Sequence, residues 1–312
     1  MIICGFSPAP TSGFFKPMIT NNIESTGAIG GGLTFSNGIY MTIKVCPGTG
    51  KLKTYINGIE VYPSIAEYVI RSILNHKLHN VDIEVYISTK VPVGSGFGTS
   101  ASSAFLAGLL VNELFNLNYG FNEIAYIAHK ADILFKTGLG SVCGLTSPGF
   151  IVIYAAGAPH RAKSIQIKFD DETLVFALWR NGISKDEILN NSKLLDEISL
   201  IGQRTLDRIL ANPDSETFFQ ECWKFAVDSG LATDWTKYVV GKLRRVNGLV
   251  GVTQAQIGDA VFGMVKRDSL LLLKREIMKI KGWRGFAIGY VYKKSPVILD
   301  KRHYVFTVKE VT

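Results

Sequence analysis

Three alternate glycines and a pair of hydroxyl residues form the part of this sequence best suited to chemistry. Gly94, Gly96 and Gly98 are followed at once by Thr99 and Ser100. Glycine at alternate positions removes side chains, so that main-chain amides can turn toward a bound anion. A helix that begins at the hydroxyl residues adds the positive end of its dipole. The stretch therefore predicts a loop that binds phosphate.

The segments on either side of this loop have the patterns of a strand and a helix. Before the loop, apolar side chains occupy every second position, namely Val81, Ile83, Val85 and Ile87. After it, they fall at helical spacing, at Phe105, Leu106, Leu109, Leu110, Leu114 and Phe115. Alternation predicts a half-buried strand, and spacings of three and four predict a helix with an apolar face. The loop is thus expected to join a strand to the first turn of a helix.

Two common phosphate loops do not fit this spacing. A Walker A loop ends in glycine, lysine and a hydroxyl residue, whereas here Thr99 follows Gly98 directly. The dinucleotide fingerprint needs a glycine three positions after Gly96, where Thr99 stands. A glycine-rich turn that merely packs tightly remains an alternative interpretation.

Residues 92–104, which read PVGSGFGTSASSA, resemble the second motif of the GHMP kinases, a family of small-molecule kinases. That motif usually reads Pro-x-x-x-Gly-Leu-Gly-Ser-Ser-Ala-Ala, so Phe97 replaces the leucine and Thr99 the first serine. The resemblance implies ATP as the phosphoryl donor and Mg²⁺ as the metal. It also implies nucleotide contacts from Pro92, Gly94, Ser95, Gly96, Phe97, Gly98, Thr99, Ser100 and Ala101.

Further segments are similar to the archaeal pantoate kinases within that family. They are residues 7–15 with 27–33, residues 128–132 with 137–141, and residues 254–258 with 260–262. This resemblance implies that Ser100 and Asp132 are catalytic and bind the metal, Asp132 standing where the family has glutamate. It places Gln254 and Gly258 near the nucleotide phosphates. It places the acceptor substrate at Thr11, Ser12, Gly13, His129, Gly140 and Ser141.

Several polar residues of the pantoate kinases are replaced in this chain. Pro10 stands for a histidine, Ala28 for a serine, Ser141 for an aspartate, and Tyr154 lies near a common arginine. A pocket that hydrogen-bonds its substrate discriminates strongly, so these changes predict a different acceptor. The leading prediction is mevalonate 3-phosphate 5-kinase, an activity that thermoacidophilic archaea use in isoprenoid synthesis. The alternative is pantoate kinase, an enzyme of coenzyme A synthesis.

Because position 141 is a serine, the sequence does not identify the group that accepts the proton of the acceptor hydroxyl. The family aspartate there is the expected hydroxyl-activating base, and a serine hydroxyl is not a base near neutral pH. Asp132 or a substrate phosphate can take the proton instead. Phosphoryl transfer through a loose transition state can also proceed without a dedicated base.

Length and composition indicate a globular protein. The chain has 312 residues and 4 scattered cysteines, without metal-ligand spacing. No apolar run approaches a membrane span, and the first residues lack the basic start of a signal peptide. We therefore expect a cytoplasmic protein with reduced thiols. Its expected partners are ATP and a small anionic substrate, without nucleic acid or membrane, and a homodimer is one possible assembly.

The net charge of +8 is concentrated toward the end of the chain. Residues 231–312 contain 16 Lys and Arg against 6 Asp and Glu. Such a segment is either a solvated face, an electropositive approach for anionic substrates, or the surface of a basic RNA-binding protein. A protein that binds ATP without turnover is a further alternative.

Alternating strand and helix patterns predict an α+β fold. They place helices at 63–76, 100–116, 121–135, 192–211, 215–230, 234–245, 257–265 and 268–281, and a capping box at Ser184 with Glu187. Strands are expected at 2–6, 32–36, 39–46, 52–56, 81–87, 149–155, 173–179, 248–252 and 285–293. The resemblance implies an amino-terminal domain like ribosomal protein S5 (1–165) and a ferredoxin-like carboxy-terminal domain (166–312).

Overall fold

The fold consists of two β-sheets with helices packed against them. The computed structural model describes residues 1–181, 188 and 191–299. Its strands are β1 (Ile2–Met18), β2 (Gly27–Pro47), β3 (Leu52–Ile56), β4 (Ile59–Glu60), β5 (Val81–Thr89), β6 (Phe150–Ala155), β7 (Lys163–Gln166), β8 (Thr173–Asn181), β9 (Leu249–Gln254), β10 (Asp259–Lys266), β11 (Gly285–Gly289) and β12 (Val297–Leu299). Its helices are α1 (Ile65–Leu74), α2 (Thr99–Leu114), α3 (Phe121–Leu134), α4 (Ser141–Thr146), α5 (Ser192–Ala211), α6 (Ser215–Asp228), α7 (Asp234–Leu243) and α8 (Leu270–Lys279). Short 3₁₀ helices cover Asn75–Asn80 and Arg267–Ser269.

The first sheet is organised around the long hairpin of β1 and β2. The strand order is β12-β1-β2-β5-β3-β4, and β6 pairs with both β2 and β7. The β1–β2 register runs from Ile2 opposite Lys44 to Met18 opposite Gly27. At Gly32 an added Cβ would lie 1.8 Å from the Thr11 carbonyl oxygen, so this close approach requires glycine. The hairpin thereby brings Thr11 against a stretch of bare main chain.

Helix α2 forms the centre of the first core. Helices α1, α3 and α4 and strands β1 and β2 all contact it. Its buried apolar side chains are Ala101, Ala104, Phe105, Leu106, Ala107, Leu110 and Val111. A helix that is buried on most sides has a fixed axis and a fixed first turn. The packing of α2 therefore determines where its amino-terminal end points.

The second sheet has the antiparallel order β11-β8-β10-β9. Its central strand β10 is buried on both faces: Val261 and Val265 pack with α7 and α8, and Phe262 and Met264 with α5 and α6. The layer of α5 and α6 also contacts β1 of the first sheet. One apolar core therefore connects the two sheets.

Phenylalanine rings fill this connecting core. The ring centroids of Phe150 on β6 and Phe218 on α6 lie 4.6 Å apart, and those of Phe219 and Phe262 lie 5.6 Å apart. Edge-to-face contacts at these distances contribute free energy beyond the area they bury. The surfaces between the two sheets are thus held by rigid aromatic packing.

The sequence-based assignments agree with most elements, and one is wrong. The helix expected at 257–265 is strand β10. Its continuous apolar run, buried on both faces, cannot be distinguished from a buried helix by periodicity alone. The capping box predicted at Ser184 and Glu187 lies outside the described residues. The division at residues 165 and 166 stays a proposal, and β12 returns to pair with β1.

No helix in the described ranges is both long and apolar enough to cross a lipid bilayer. None of the 4 cysteines is in a disulfide; Cys4, Cys143 and Cys222 are buried and Cys46 is exposed.

Candidate active site

The glycine loop before α2 adopts a conformation that favours glycine. Gly94, Gly96 and Gly98 have φ angles of 78°, 85° and 52°, all in the left-handed region. Gly98 is the amino-terminal cap of α2, and Thr99 is the first residue of the helix. The loop therefore leads directly to a helix end that carries unpaired amides and partial positive charge.

The turn between β9 and β10 holds this loop in place. An added Cβ on Gly96 would lie 2.9 Å from the carbonyl carbon of Ala255, and one on Gly258 would lie 2.4 Å from the main chain of Ser95. From the opposite side, Thr11 Oγ1 donates a hydrogen bond to the Gly96 carbonyl at 3.0 Å. Elements of both sheets thus hold the main chain of the loop.

A cavity on one side of the loop has the groups expected for nucleotide phosphates. Its lining comprises Val93, Gly94, Gly96, Phe97, Gly98, Thr99, Ser100, Ala101, Asp132, Phe135, Lys136, Thr137 and Ser141. It combines the amino-terminal turn of α2, four hydroxyl residues, one carboxylate and one ammonium group. We refer to it as the phosphate-side cavity.

Asp132 is a buried carboxylate at this cavity. It is 1% exposed, and Thr137 Oγ1 donates a hydrogen bond to its Oδ1 at 2.5 Å. A Cβ on Gly138 would lie 2.5 Å from Asp132 Oδ2 and 2.9 Å from Ser141 Oγ. Gly138 therefore allows the carboxylate and the Ser141 hydroxyl to approach each other.

A second cavity lies on the other side of the loop, and we call it the acceptor cavity. Its lining comprises Pro10, Thr11, Ser12, Phe14, Phe15, Ala28, Gly30, Gly31, Gly32, Leu33, Thr34, Gly96, Gly98, Gly138, Leu139, Gly140, Ser141, Gly144, Gly149, Ile151, Ile153, Gln256 and Ile257. None of these described residues carries a formal charge. Apolar side chains and bare glycine main chain form most of the wall.

The two cavities adjoin each other. Gly96, Gly98 and Ser141 line both. A phosphoryl group on one side and a hydroxyl group on the other would therefore meet next to the glycine loop and Ser141. This arrangement suits transfer of a group between two small molecules.

The structure brings most of the predicted site residues to these cavities. Thr11, Ser12, Gly140 and Ser141 line the acceptor cavity, and Ser100 and Asp132 line the phosphate-side cavity. Pro92, Ser95, Gly13, His129, Gln254 and Gly258 line neither.

Two of the residues outside the cavities have clear packing roles. The Gln254 amide donates to the Leu231 carbonyl at 2.7 Å and accepts from Thr236 Oγ1. An added Cβ on Gly13 would lie 2.6 Å from Cys222 Sγ. The predicted ligand contacts of Gln254 and Gly13 stay predictions beside these packing roles.

His129 is a buried residue of α3 behind the acceptor cavity. Its Nε2 donates to the Thr26 carbonyl at 3.0 Å, since a carbonyl can only accept. Burial lowers the pKa of His129 below its usual value. The contact orients the chain that enters β2, and a substrate contact stays a prediction.

Three polar residues of the cavity linings received no site role from the sequence. Lys136 and Thr137 follow the end of α3 on the phosphate side, and Gln256 lies in the β9–β10 turn on the acceptor side. The available signal was position in the sequence: Thr137 and Gln256 lie within segments that resemble the pantoate kinases, and Lys136 directly precedes Thr137. Nearby, burial and the charge of Asp132 raise the pKa of the Cys143 thiol to about 12. Cys143 is therefore a neutral group and not a base.

Comparison with known proteins places this geometry in a family. A family model described as the GHMP kinases N terminal domain matches residues 64–145. A pantoate kinase of Methanocaldococcus jannaschii is 30% identical over 277 residues, which cover 88% of this chain and 98% of the relative. A pantoate kinase of Methanospirillum hungatei is 26% identical over 281 residues, covering 89% and 93%. A solved structure titled "Phosphotransferase related to CoA biosynthesis pathway" has a TM-score of 0.86 and 23% identity, covering 96% and 99%.

The fold and these matches define an ATP-dependent phosphotransferase that acts on a hydroxyl group. The chain belongs to the GHMP kinase family, has its α+β fold, and is similar to the pantoate kinases within it. Membership of this kinase family supports the enzyme interpretation over that of a basic RNA-binding protein.

The close contact between the glycine loop and the β9–β10 turn predicts a specific effect of adding one methyl group. Gly258→Ala should push Ser95 and the glycine loop away, and a displacement of about 1 Å can lower kcat/KM by about 10²-fold. The matched control is Gly241→Ala on α7, where nothing lies within 4 Å of an added Cβ. Steady-state kinetics and calorimetric titration with ATP measure both variants. Equal ATP affinity in the Gly258→Ala and Gly241→Ala variants would show that this contact does not position the glycine loop.

The buried His129 predicts a pH dependence of stability. With its pKa lowered in the folded state, the unfolded chain binds more protons below about pH 6.5. Stability should therefore be greatest above that pH and fall as the pH decreases through it. Thermal unfolding should show a smaller decrease for His129→Gln, which retains a donor for the Thr26 carbonyl. Parallel pH profiles for the two proteins would show that His129 does not titrate on unfolding.

Proposed function

We propose that this protein is a kinase of a small hydroxy acid and that pantoate is its acceptor. The observation that supports the proposal is the uncharged acceptor cavity, which adjoins the glycine loop at Ser141. Pantoate combines one carboxylate and two hydroxyls with a carbon bearing two methyl groups. An apolar cavity with a few hydroxyl and amide groups matches that composition.

The nucleotide phosphates would lie against the glycine loop. The amides that follow Gly96 and Gly98, together with the first turn of α2, provide donors directed at an anion. Lys136 at the edge of the same cavity adds a positive charge. These groups would hold the triphosphate and offset the charge that develops on the transferred phosphoryl group.

Mg²⁺ fits the oxygen donors of the phosphate-side cavity. Magnesium is usually held by one or two protein oxygens, with phosphates and water completing its shell. The Ser100 hydroxyl and the Asp132 carboxylate supply such oxygens. When bound, the ion would neutralise phosphate charge.

Asp132 is the one described cavity residue that would accept the proton of the acceptor hydroxyl; otherwise no protein group accepts it. Across both cavities, it is the only carboxylate among the described lining residues. It lies beside Ser141, where the acceptor hydroxyl would meet the phosphoryl group. In the transfer, the bond between the γ-phosphorus and the bridging oxygen breaks and the acceptor oxygen bonds to phosphorus. The hydroxyl proton leaves to Asp132, to the transferred phosphate or to solvent.

The charge of the acceptor favours pantoate over mevalonate 3-phosphate, which was the leading prediction of the sequence analysis. Mevalonate 3-phosphate carries a phosphate dianion as well as a carboxylate, and burying such charge without cationic partners is costly. No described residue of the acceptor cavity is cationic. The similar proteins are also named pantoate kinases. Both observations favour pantoate.

Mevalonate 3-phosphate remains the second candidate because of the replaced residues. Pro10, Ala28 and Ser141 all line the acceptor cavity, so three departures lie where an acceptor would bind. Tyr154 is 40% exposed and lies outside that lining, so its departure bears on the pocket least.

An acceptor assay tests the proposal directly. Purified protein with ATP and Mg²⁺ should phosphorylate pantoate with kcat/KM higher than that for mevalonate 3-phosphate by about 10²-fold, since unpaired charge strongly disfavours binding. A coupled assay for ADP measures both reactions, with mevalonate as a further acceptor. Turnover of mevalonate 3-phosphate but not pantoate would establish the second candidate instead.

Substitution at the buried carboxylate tests the nucleotide side. Asp132→Asn keeps the shape but removes the charge, so kcat should fall by about 10²–10³-fold with any acceptor. The Mg²⁺ concentration for half-maximal rate should rise. Glu113→Gln, at an exposed position late in α2, is the matched control and should leave both quantities unchanged. An Asp132→Asn enzyme with full activity would exclude this residue from metal binding and proton transfer.

A further inference from the structure

Gln256 is a buried amide in the wall of the acceptor cavity. It lies in the turn between β9 and β10 and is 6% exposed. Its main-chain N–H donates to the Ser12 carbonyl at 2.8 Å, and Ser12 Oγ donates to the Gln256 carbonyl at 3.4 Å. The main chain of this residue is therefore fixed against β1, and only its side chain is left to bind.

The side chain of Gln256 has an unused capacity for hydrogen bonds. Neither Nε2 nor Oε1 has a hydrogen-bond partner among the described residues. The neighbouring Gln254 differs, because its amide bonds to Leu231, Thr233 and Thr236. A buried amide without partners costs free energy, and such groups in native proteins usually have a ligand or water. The unpaired amide at the cavity wall therefore indicates a polar group on the acceptor.

An amide presents a donor and an acceptor side by side. Nε2 can donate to a carboxylate oxygen while Oε1 accepts from a hydroxyl, so the complementary ligand carries a hydroxyl next to a carboxylate. The surrounding wall has no cationic side chain among the described residues. Neutral donors such as Gln256 must therefore recognise any carboxylate that enters.

We infer that Gln256 is a specificity-determining residue that binds the adjacent hydroxyl and carboxylate of a 2-hydroxy acid. This inference rests on the proposed function and gives its substrate class. In pantoate, the two groups held by Gln256 would be the carboxylate and the 2-hydroxyl. The 4-hydroxyl would then be the group turned toward Ser141 and the phosphate-side cavity. The apolar wall, which includes Ala28 and Ile257, would enclose the two methyl groups.

The inference predicts a loss of discrimination when the amide is removed. Gln256→Met retains length and bulk without the two polar atoms. The enzyme should prefer pantoate over 4-hydroxy-3,3-dimethylbutanoate, which lacks the 2-hydroxyl, by on the order of 10²-fold in kcat/KM. The variant should lose most of this preference through a higher KM for pantoate. The KM for ATP should stay unchanged, because Gln256 does not line the phosphate-side cavity.

The thermal stability of the variant distinguishes a ligand-binding role of Gln256 from a structural role, because the two predict opposite changes in Tm. Because the amide has no partner without ligand, the Tm of ligand-free Gln256→Met should equal or exceed that of the unsubstituted protein. Gln254→Met is the matched control: it should lower the Tm, because it leaves buried partners unpaired, while the preference between the two acids is retained. A marked fall in Tm for Gln256→Met would show that the amide is structural and would overturn the inference.

Binding separates failure of this inference from failure of the proposed function. Thermal unfolding with pantoate and a non-hydrolysable ATP analogue should show a Tm increase in the unsubstituted protein and not in Gln256→Met. Pantoate turnover with the same preference in both proteins would overturn the role of Gln256 alone. Binding that depends on Gln256 but lacks pantoate turnover would overturn the proposed function alone. Absence of pantoate binding to the unsubstituted protein would overturn both.

Discussion

The contact between the glycine loop and the β9–β10 turn is the constraint on which the site depends. At Gly96 and Gly258 the two main chains lie so close that neither position has room for a Cβ. The loop belongs to the segment before α2, and the turn belongs to the second sheet. Their contact fixes the phosphate-side cavity relative to the acceptor cavity, and catalysis by positioning needs such fixed geometry. The phenylalanine core behind it resists any relative shift of the two sheets.

Charge is distributed unequally between the two cavities. Asp132, Lys136 and the first turn of α2 lie on the phosphate side, whereas the acceptor side has no described charged residue. A polyanion bound near fixed charges and dipoles needs little reorganisation during the reaction. A small hydroxy acid can instead be selected by shape and by a few neutral hydrogen bonds. This difference would let one site hold a triphosphate beside an acceptor of lower charge.

The spacing of apolar residues predicted many of the strands and helices, because it reflects which face of each element is buried. The alternation at 81–87 and the spacing after Ser100 each reflect one buried face, and β5 and α2 lie there. The run at 257–265 failed because β10 is buried on both faces and has no polar side. The resemblance located Ser100, Asp132 and Ser141 near one another. It could not show that the Gln254 amide is hydrogen-bonded while that of Gln256 is not, since the partners of Gln254 lie on α7 and in the chain before it.

The run of glycines in β2 has a consequence for how this enzyme changes over time. Gly30, Gly31 and Gly32 present main chain to the acceptor cavity, and an added Cβ at each would lie within 3 Å of a neighbouring atom. Substitution is therefore restricted along this stretch of β2, and changes in substrate preference are expected at lining positions that already bear side chains. Pro10, Ala28, Ser141 and Gln256 are such positions, so the acceptor preference of this scaffold can change while the glycines of β2 stay fixed.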